Sequence, residues 1–165
     1  MKLVFLDAKT MGDDLDFSLL CSFGDLTLYD YSTKEEARER SQNADVLIVN
    51  KVPVNEYTIG DAKNVKLVCV AATGTNNLEK DYLEKRGIAW KNVAGYSTDS
   101  VAQHTFALLF YLAEKLPYYD AFVKQGEYER GQSFSHFAKT FYELSGKTWG
   151  IIGLGAIGRK VSDIA

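Results

Sequence analysis

Six residues near the end of the chain have the types and spacing to hold a diphosphate. Gly153-Leu154-Gly155-Ala156-Ile157-Gly158 is a GxGxxG pattern that follows a strand-like apolar run, Trp149–Ile152, and opens a helix-forming stretch. The first glycine permits a tight turn, the second lets a pyrophosphate approach the backbone, and the third lets the helix pack closely on the strand. Phosphates then meet unpaired N–H groups at the positive end of the helix. The acidic residue that holds a ribose, about 20 positions onward, would fall after Ala165. On local pattern alone, a glycine-rich turn without a ligand is the other reading.

A second glycine-bearing turn, Ala71-Ala72-Thr73-Gly74-Thr75-Asn76-Asn77, follows the apolar run Lys66–Val70. Its exposed N–H groups suit a carboxylate; alternatively Thr75, Asn76 or Asn77 caps the next helix. Asn50-Lys51 ends another apolar run, where a lysine either attracts an anionic substrate or is simply solvated. The two histidines, His104 and His136, have no sequence-near carboxylate arranged to orient them, and structural roles are expected for both. Cys21 and Cys69 form no CxxC and join no metal-ligand pattern, which predicts reduced core thiols in a cytoplasmic protein and no metal site.

These residues need a frame to position them. Five β-branched runs, KLVFLDA, LTLYDYS, ADVLIVNKV, VKLVCVAAT and IAWKNVAGY, alternate with polar or amphipathic stretches such as TKEEARERSQN and NNLEKDYLEKRG. Runs that are apolar on both faces belong in a parallel sheet covered by helices. The alternation predicts a doubly wound α/β domain with a flavodoxin-like, five-stranded parallel sheet. In NNLEKDYLEKRG, Leu78, Tyr82 and Leu83 share a helical face and Gly87 stops the helix. Asp7 interrupts the N-terminal apolar run, so a buried strand explains it better than a signal peptide. No apolar run approaches the roughly 20 residues of a membrane span. A net charge of −3 without a basic stripe argues against nucleic-acid binding.

After Tyr96 the character changes. Ser or Thr caps with Asp99 close behind lead into a long helical run. Val101, Ala102, Phe106, Leu108, Leu109, Leu112 and Leu116 cover more than one face of it, which predicts that most of this helix is buried. Pro117 ends or kinks it. The aromatic-rich stretch that follows has no clear periodicity.

Three segments, CVAATGTNNLE, RGIAWKNVAGYSTDSVAQHTFALL and GKTWGIIGLGAIGRKV, occur in the order and spacing of the D-isomer-specific 2-hydroxyacid dehydrogenases. ATGTNN with GYSTDSVAQHT is most similar to the glycerate dehydrogenase and hydroxypyruvate reductase branch. The resemblance implies hydride transfer between NAD(H) and a small 2-hydroxy or 2-keto acid. It implies that Ala72, Thr73 and Gly74 offer backbone groups to the substrate carboxylate and that Thr73 also lies against the cofactor. Ala156 and Ile157, within the turn bounded by Gly153, Gly155 and Gly158, match the pyrophosphate contacts. Lys51 and Tyr96 match positions near the substrate cleft. NAD is the implied cofactor, and the choice against NADP rests on the ribose position after Ala165.

The same resemblance implies a division into a substrate domain (1–97), an interdomain helix (98–117), a dimerisation-arm-like connection (118–145) and the start of a nucleotide domain (146–165). A homodimer is expected from the arm. The family's catalytic arginine, glutamate and histidine match no position here, and His104 lies in a different segment. A shortened, inactive form is therefore expected: a substrate domain plus the first strand and turn of a truncated Rossmann domain. Two binding functions are the alternatives, a nucleotide-sensing corepressor of the same fold and a stand-alone carboxylate-binding module.

Overall fold

Five four-residue strands form one sheet: β1 (Lys2–Phe5), β2 (Asp25–Leu28), β3 (Val46–Val49), β4 (Leu67–Val70) and β5 (Ala89–Asn92), the inner ones aliphatic and the edge strands β2 and β5 partly polar. The computed structural model describes all residues, 1–165. Every pairing is parallel and the strand order is β2-β1-β3-β4-β5. This is the flavodoxin-like order expected from the alternation of runs. The helices in this part of the chain are α1 (Ser18–Cys21), α2 (Lys34–Ser41), α3 (Glu56–Ile59) and α4 (Lys80–Lys85), with a 3-10 turn over Ala8–Met11.

Alternation along each strand divides the core between the two faces of the sheet. Val4, Leu6, Leu47, Val49, Val68 and Val70 pack with Ala37, Ile59 and Leu83 from the helices. Leu3, Phe5, Val46 and Ile48 face the other way, against Ala8, Phe17 and Leu20. Leu67, Cys69 and Ala71 stay half-exposed on that second face. Both faces of β1 and β3 are thus covered, which accounts for their unbroken apolar sequence. The helices start on local signals. Thr33 and Glu36 form a reciprocal capping box for α2, with bonds of 3.2 and 2.8 Å, and Asn55 with Thr58 does the same for α3.

The chain divides into two compact units, residues 1–94 and 95–165. The second contains α5 (Thr98–Ala113), α6 (Leu116–Lys124), α7 (Glu127–Arg130) and α8 (Ala156–Ile164). α5 departs from expectation. Only Ala102 is buried, while Val101, Leu108 and Leu112 are exposed. Within its unit the helix packs against α8 and α6: Phe106 stacks on Trp149 at 5.0 Å, and Lys160 of α8 pairs with Asp99 at 2.9 Å. These neighbours cover Phe106 and Leu109 in part and leave Val101, Leu108 and Leu112 in solvent. Pro117 does not kink α5; it sits in the first turn of α6, where its missing N–H costs nothing. The aperiodic stretch after it holds both α6 and α7.

Residues Trp149–Ile152 are not a strand. They pair with none of the five strands, and Ile152 is fully exposed. A strand exists only through its ladder partners, so apolar, β-branched composition alone cannot make one. Cys21 also departs from expectation: it is exposed on α1, and only Cys69 is partly covered.

Candidate functional site

The loop after β4 is pinned at both ends and open in the middle. At its start, Val93 N–H donates to the Ala72 carbonyl at 3.1 Å, and Asn92 Nδ2 donates to the Thr73 carbonyl at 2.8 Å. The Thr73 hydroxyl donates to the Val93 carbonyl at 3.0 Å. At its far end, Asn77 Nδ2 donates to the Val52 carbonyl at 3.0 Å, and Val54 N–H donates to the Asn77 carbonyl at 2.8 Å. Between these ties, the N–H groups of Thr73, Gly74, Thr75, Asn76 and Asn77 have no protein acceptor. Ala72 is buried, whereas Thr73, Gly74 and Asn76 are exposed. The loop therefore presents a fixed run of free donors at the carboxyl edge of a parallel sheet, the usual ligand side of this architecture.

The capping alternative for this loop fails. α4 is preceded by Glu79 without a side-chain cap bond, and Thr75, Asn76 and Asn77 give no cap to it. Asn77 is occupied by β3's turn instead, which is the physical reason it cannot cap.

The turn after β3 carries Lys51, whose side chain is exposed. Its backbone is in the opposite condition from that of the β4 loop. Asp7, only 3% exposed, accepts the N–H groups of Asn50 and Lys51 at 2.8 and 2.6 Å and that of Val52 at 3.0 Å. Sequence reasoning offered Asn77 only as a helix cap and missed the bonding roles of Asp7 and Asn92. The one available signal was an acidic residue inside an otherwise apolar run.

The glycine turn lies in the second unit, as does Tyr96, which is exposed. Gly153 adopts φ +91°, a conformation that side chains rarely permit. A Cβ on Gly158 would overlap the Gly153 carbonyl oxygen, so this position closes the turn onto the helix start. Gly155 is different: it caps α8 with φ −75°, and a Cβ there would meet nothing within 4 Å. Two of the glycines are thus required by the protein itself, and the third leaves room outside it. Ala156, Ile157 and Gly158 start α8, whose first turn holds no acidic residue, and their N–H groups precede the first intrahelical bond, Arg159 N–H to the Gly155 carbonyl at 3.0 Å. The residues fit a dinucleotide pyrophosphate, which needs close backbone approach and positive potential.

Neither histidine stands beside a carboxylate. His104 is exposed on α5, and His136 shares a 2.7 Å hydrogen bond with the Tyr118 hydroxyl while stacking on Phe122 at 3.8 Å. Burial pushes the Cys69 thiol up, which keeps it protonated and unreactive.

A 2-1-3-4-5 parallel sheet followed in the chain by a GxGxxG turn at a helix N-terminus defines a class: an α/β protein with a flavodoxin-like domain and a glycine turn of the dinucleotide-binding pattern. The comparisons with known proteins identify the family. The model for the D-isomer specific 2-hydroxyacid dehydrogenase catalytic domain matches residues 7–150, and the chain belongs to that family. It is 35% identical to a glycerate dehydrogenase of Methylorubrum extorquens over 130 residues, 79% of this chain and 41% of that one. It is 32% identical to a hydroxypyruvate reductase of Blautia hydrogenotrophica over 169 aligned residues, covering 100% of this chain and 52% of the relative. Among solved structures, an acyclic imino acid reductase in complex with NADPH and D-Arg superposes with a TM-score of 0.82 at 25% identity, over 99% of this chain and 52% of that one. A glyoxylate/hydroxypyruvate reductase from Sinorhizobium meliloti, in complex with NADP and malonate, shares the fold with a TM-score of 0.77 at 17% identity, over 99% and 49% of the two chains. The chain spans about half the length of the relatives it matches. No helix is long and apolar enough to cross a membrane.

Proposed function

We propose that residues 1–94 form the substrate-binding part of an oxidoreductase that interconverts a small 2-hydroxy acid and its 2-keto acid, of the size of glycerate and hydroxypyruvate. The observation that carries this reading is the run of free N–H groups from Thr73 to Asn77. Ala72, Thr73 and Gly74 offer the backbone groups of the carboxylate site, the free N–H donors starting at Thr73, and Lys51 adds positive charge at the same edge of the sheet. A carboxylate accepting two or three such bonds is held in one orientation, which fixes its 2-carbon for reaction.

Gly153, Gly155, Ala156, Ile157 and Gly158 would hold the pyrophosphate of a nicotinamide cofactor, NAD in this reading; the family resemblance adds Thr73 as a cofactor contact and Tyr96 as a residue of the substrate cleft. When bound, that cofactor supplies or accepts the hydride. The proton needs an acid–base group, and neither His104 nor His136 has the carboxylate partner that would tune it for the task. The family's catalytic arginine, glutamate and histidine match no position in these 165 residues, so in this reading the chain binds the acid and does not turn it over. In the same reading α5 is the interdomain helix, the region 118–145 makes a homodimer arm, and the protein works in the cytoplasm.

The test has two arms on purified chain of verified mass. Calorimetry with hydroxypyruvate or D-glycerate shows saturable binding that equimolar chloride does not reproduce. A spectrophotometric assay shows NADH oxidation with hydroxypyruvate at the buffer rate. Absence of binding at millimolar ligand overturns the substrate-site reading, and a rate well above buffer overturns the assignment of inactivity.

A further inference from the structure

In a sheet of order 2-1-3-4-5, strand order reverses between β1 and β3, and the crevice beyond their carboxyl ends is where such folds seat ligands. Here a group of the protein itself is already there. Asp7 lies two residues beyond β1, nearly fully buried, and three consecutive N–H groups of the turn after β3 converge on its carboxylate. Such convergence is a backbone anion nest. A second link joins the same two turns: the Thr10 hydroxyl donates to the Asp7 carbonyl at 2.6 Å and accepts from Asn50 Nδ2 at 2.9 Å. From the nest, bonds run on to the neighbouring loop, because the Val52 carbonyl accepts Asn77 Nδ2 and Val54 N–H reaches the Asn77 carbonyl.

We propose that Asp7 is a positioning residue for the carboxylate site. Its side chain is the resident anion of the switch-point nest. By filling the nest it withholds the donors of Asn50, Lys51 and Val52 and directs an incoming 2-hydroxy or 2-keto carboxylate one strand over, to the free donors of Thr73–Asn76. This rests on the reading of that loop as the substrate-carboxylate site. Two physical points support it. A nest whose three N–H groups are spent on one carboxylate has none for another, and a second anion there would meet like charge at close range. The bond chain from Asp7 through Val52 to Asn77 also fixes the far end of the receiving loop, so loss of Asp7 loosens both turns.

The experiment follows backbone amides by NMR in the full 165-residue chain, as wild type, Asp7→Ala and Asp7→Asn, with sodium formate against sodium chloride at matched ionic strength. In Asp7→Ala, hydrogen exchange at Asn50, Lys51 and Val52 speeds by about tenfold or more. Formate, small enough for the space left by the side chain, restores protection saturably. In wild type formate leaves these three amides unmoved. D-Glycerate shifts Thr73–Asn76 in wild type and additionally Asn50–Val52 in Asp7→Ala. Wild-type protection in folded Asp7→Ala, no restoration by formate, or an unchanged glycerate footprint overturns the proposal. Should Asp7→Ala fail to fold, Asp7→Asn decides: its amide keeps one acceptor oxygen but turns donors toward donors, so at least one of the three amides loses protection, and wild-type protection at all three overturns the proposal. A wild type without any glycerate footprint overturns the substrate-site reading, while the formate arm independently decides whether Asp7 fills the nest.

Discussion

Asn77 ties two loops together by donating its side-chain amide to the Val52 carbonyl at 3.0 Å, so the loop after β4 is held by the turn after β3. The tie is local and neutral, and its loss leaves a half-buried carbonyl without its partner. Asn77→Ala is expected to cost about 1 kcal/mol of stability, the usual net worth of such a bond. The check is chemical denaturation, with amide exchange showing that Thr73–Asn76 loosen while the strands do not.

The three glycines of the turn before α8 are expected to respond differently to alanine. At Gly158 the new methyl overlaps the Gly153 carbonyl, so Gly158→Ala costs about 1–3 kcal/mol, as overpacking does. At Gly155 nothing stands within 4 Å, and Gly155→Ala stays within about 0.5 kcal/mol of wild type. Paired thermal melts settle the contrast. A large loss at Gly155 would mean that the second glycine serves the fold and leaves no argument for a ligand.

Leu83 anchors α4 under the sheet with no exposed surface. Leu83→Ala is expected to cost about 2–5 kcal/mol through lost burial and the cavity left behind. Urea unfolding followed by far-UV circular dichroism measures it.

The start of α2 makes stability depend on acid. The Thr33 N–H holds the Glu36 carboxyl below the usual glutamate range, with the Arg40 charge helping. A carboxyl lowered in the folded state stabilises the protein fully above its unfolded pKa and loses that contribution as pH falls through its folded value. The melting temperature of wild type is therefore expected to fall on acidification through the carboxylate range by more than that of Glu36→Gln, the two curves converging at the acid end. Parallel curves across this range would contradict the assignment.

Much of this fold was legible because the inner strands β1 and β3 are apolar on both faces and the connections are helical in length, a combination that belongs to a parallel sheet covered by helices. The glycine turn was legible for the same kind of reason, since Gly153 and Gly158 answer to backbone geometry that sequence spacing encodes. Asp7 was not, because nothing in KLVFLDA says that its carboxylate will meet N–H groups more than forty residues away. The exposure of α5 was not legible either: apolar residues on several faces state what a helix can bury, while the neighbours decide what it does bury. For Trp149–Ile152 composition pointed to a strand, and the missing ladder partner decided otherwise.

In the proposed site a carboxylate lands on the free donors after β4 and not on the occupied nest after β3. An amide NMR titration of wild-type chain with D-glycerate tests it most directly. Saturable shifts are expected at Thr73, Gly74, Thr75 and Asn76 with Asn50, Lys51 and Val52 stationary; a footprint on Asn50–Val52, or none at Thr73–Asn76, rules this site out.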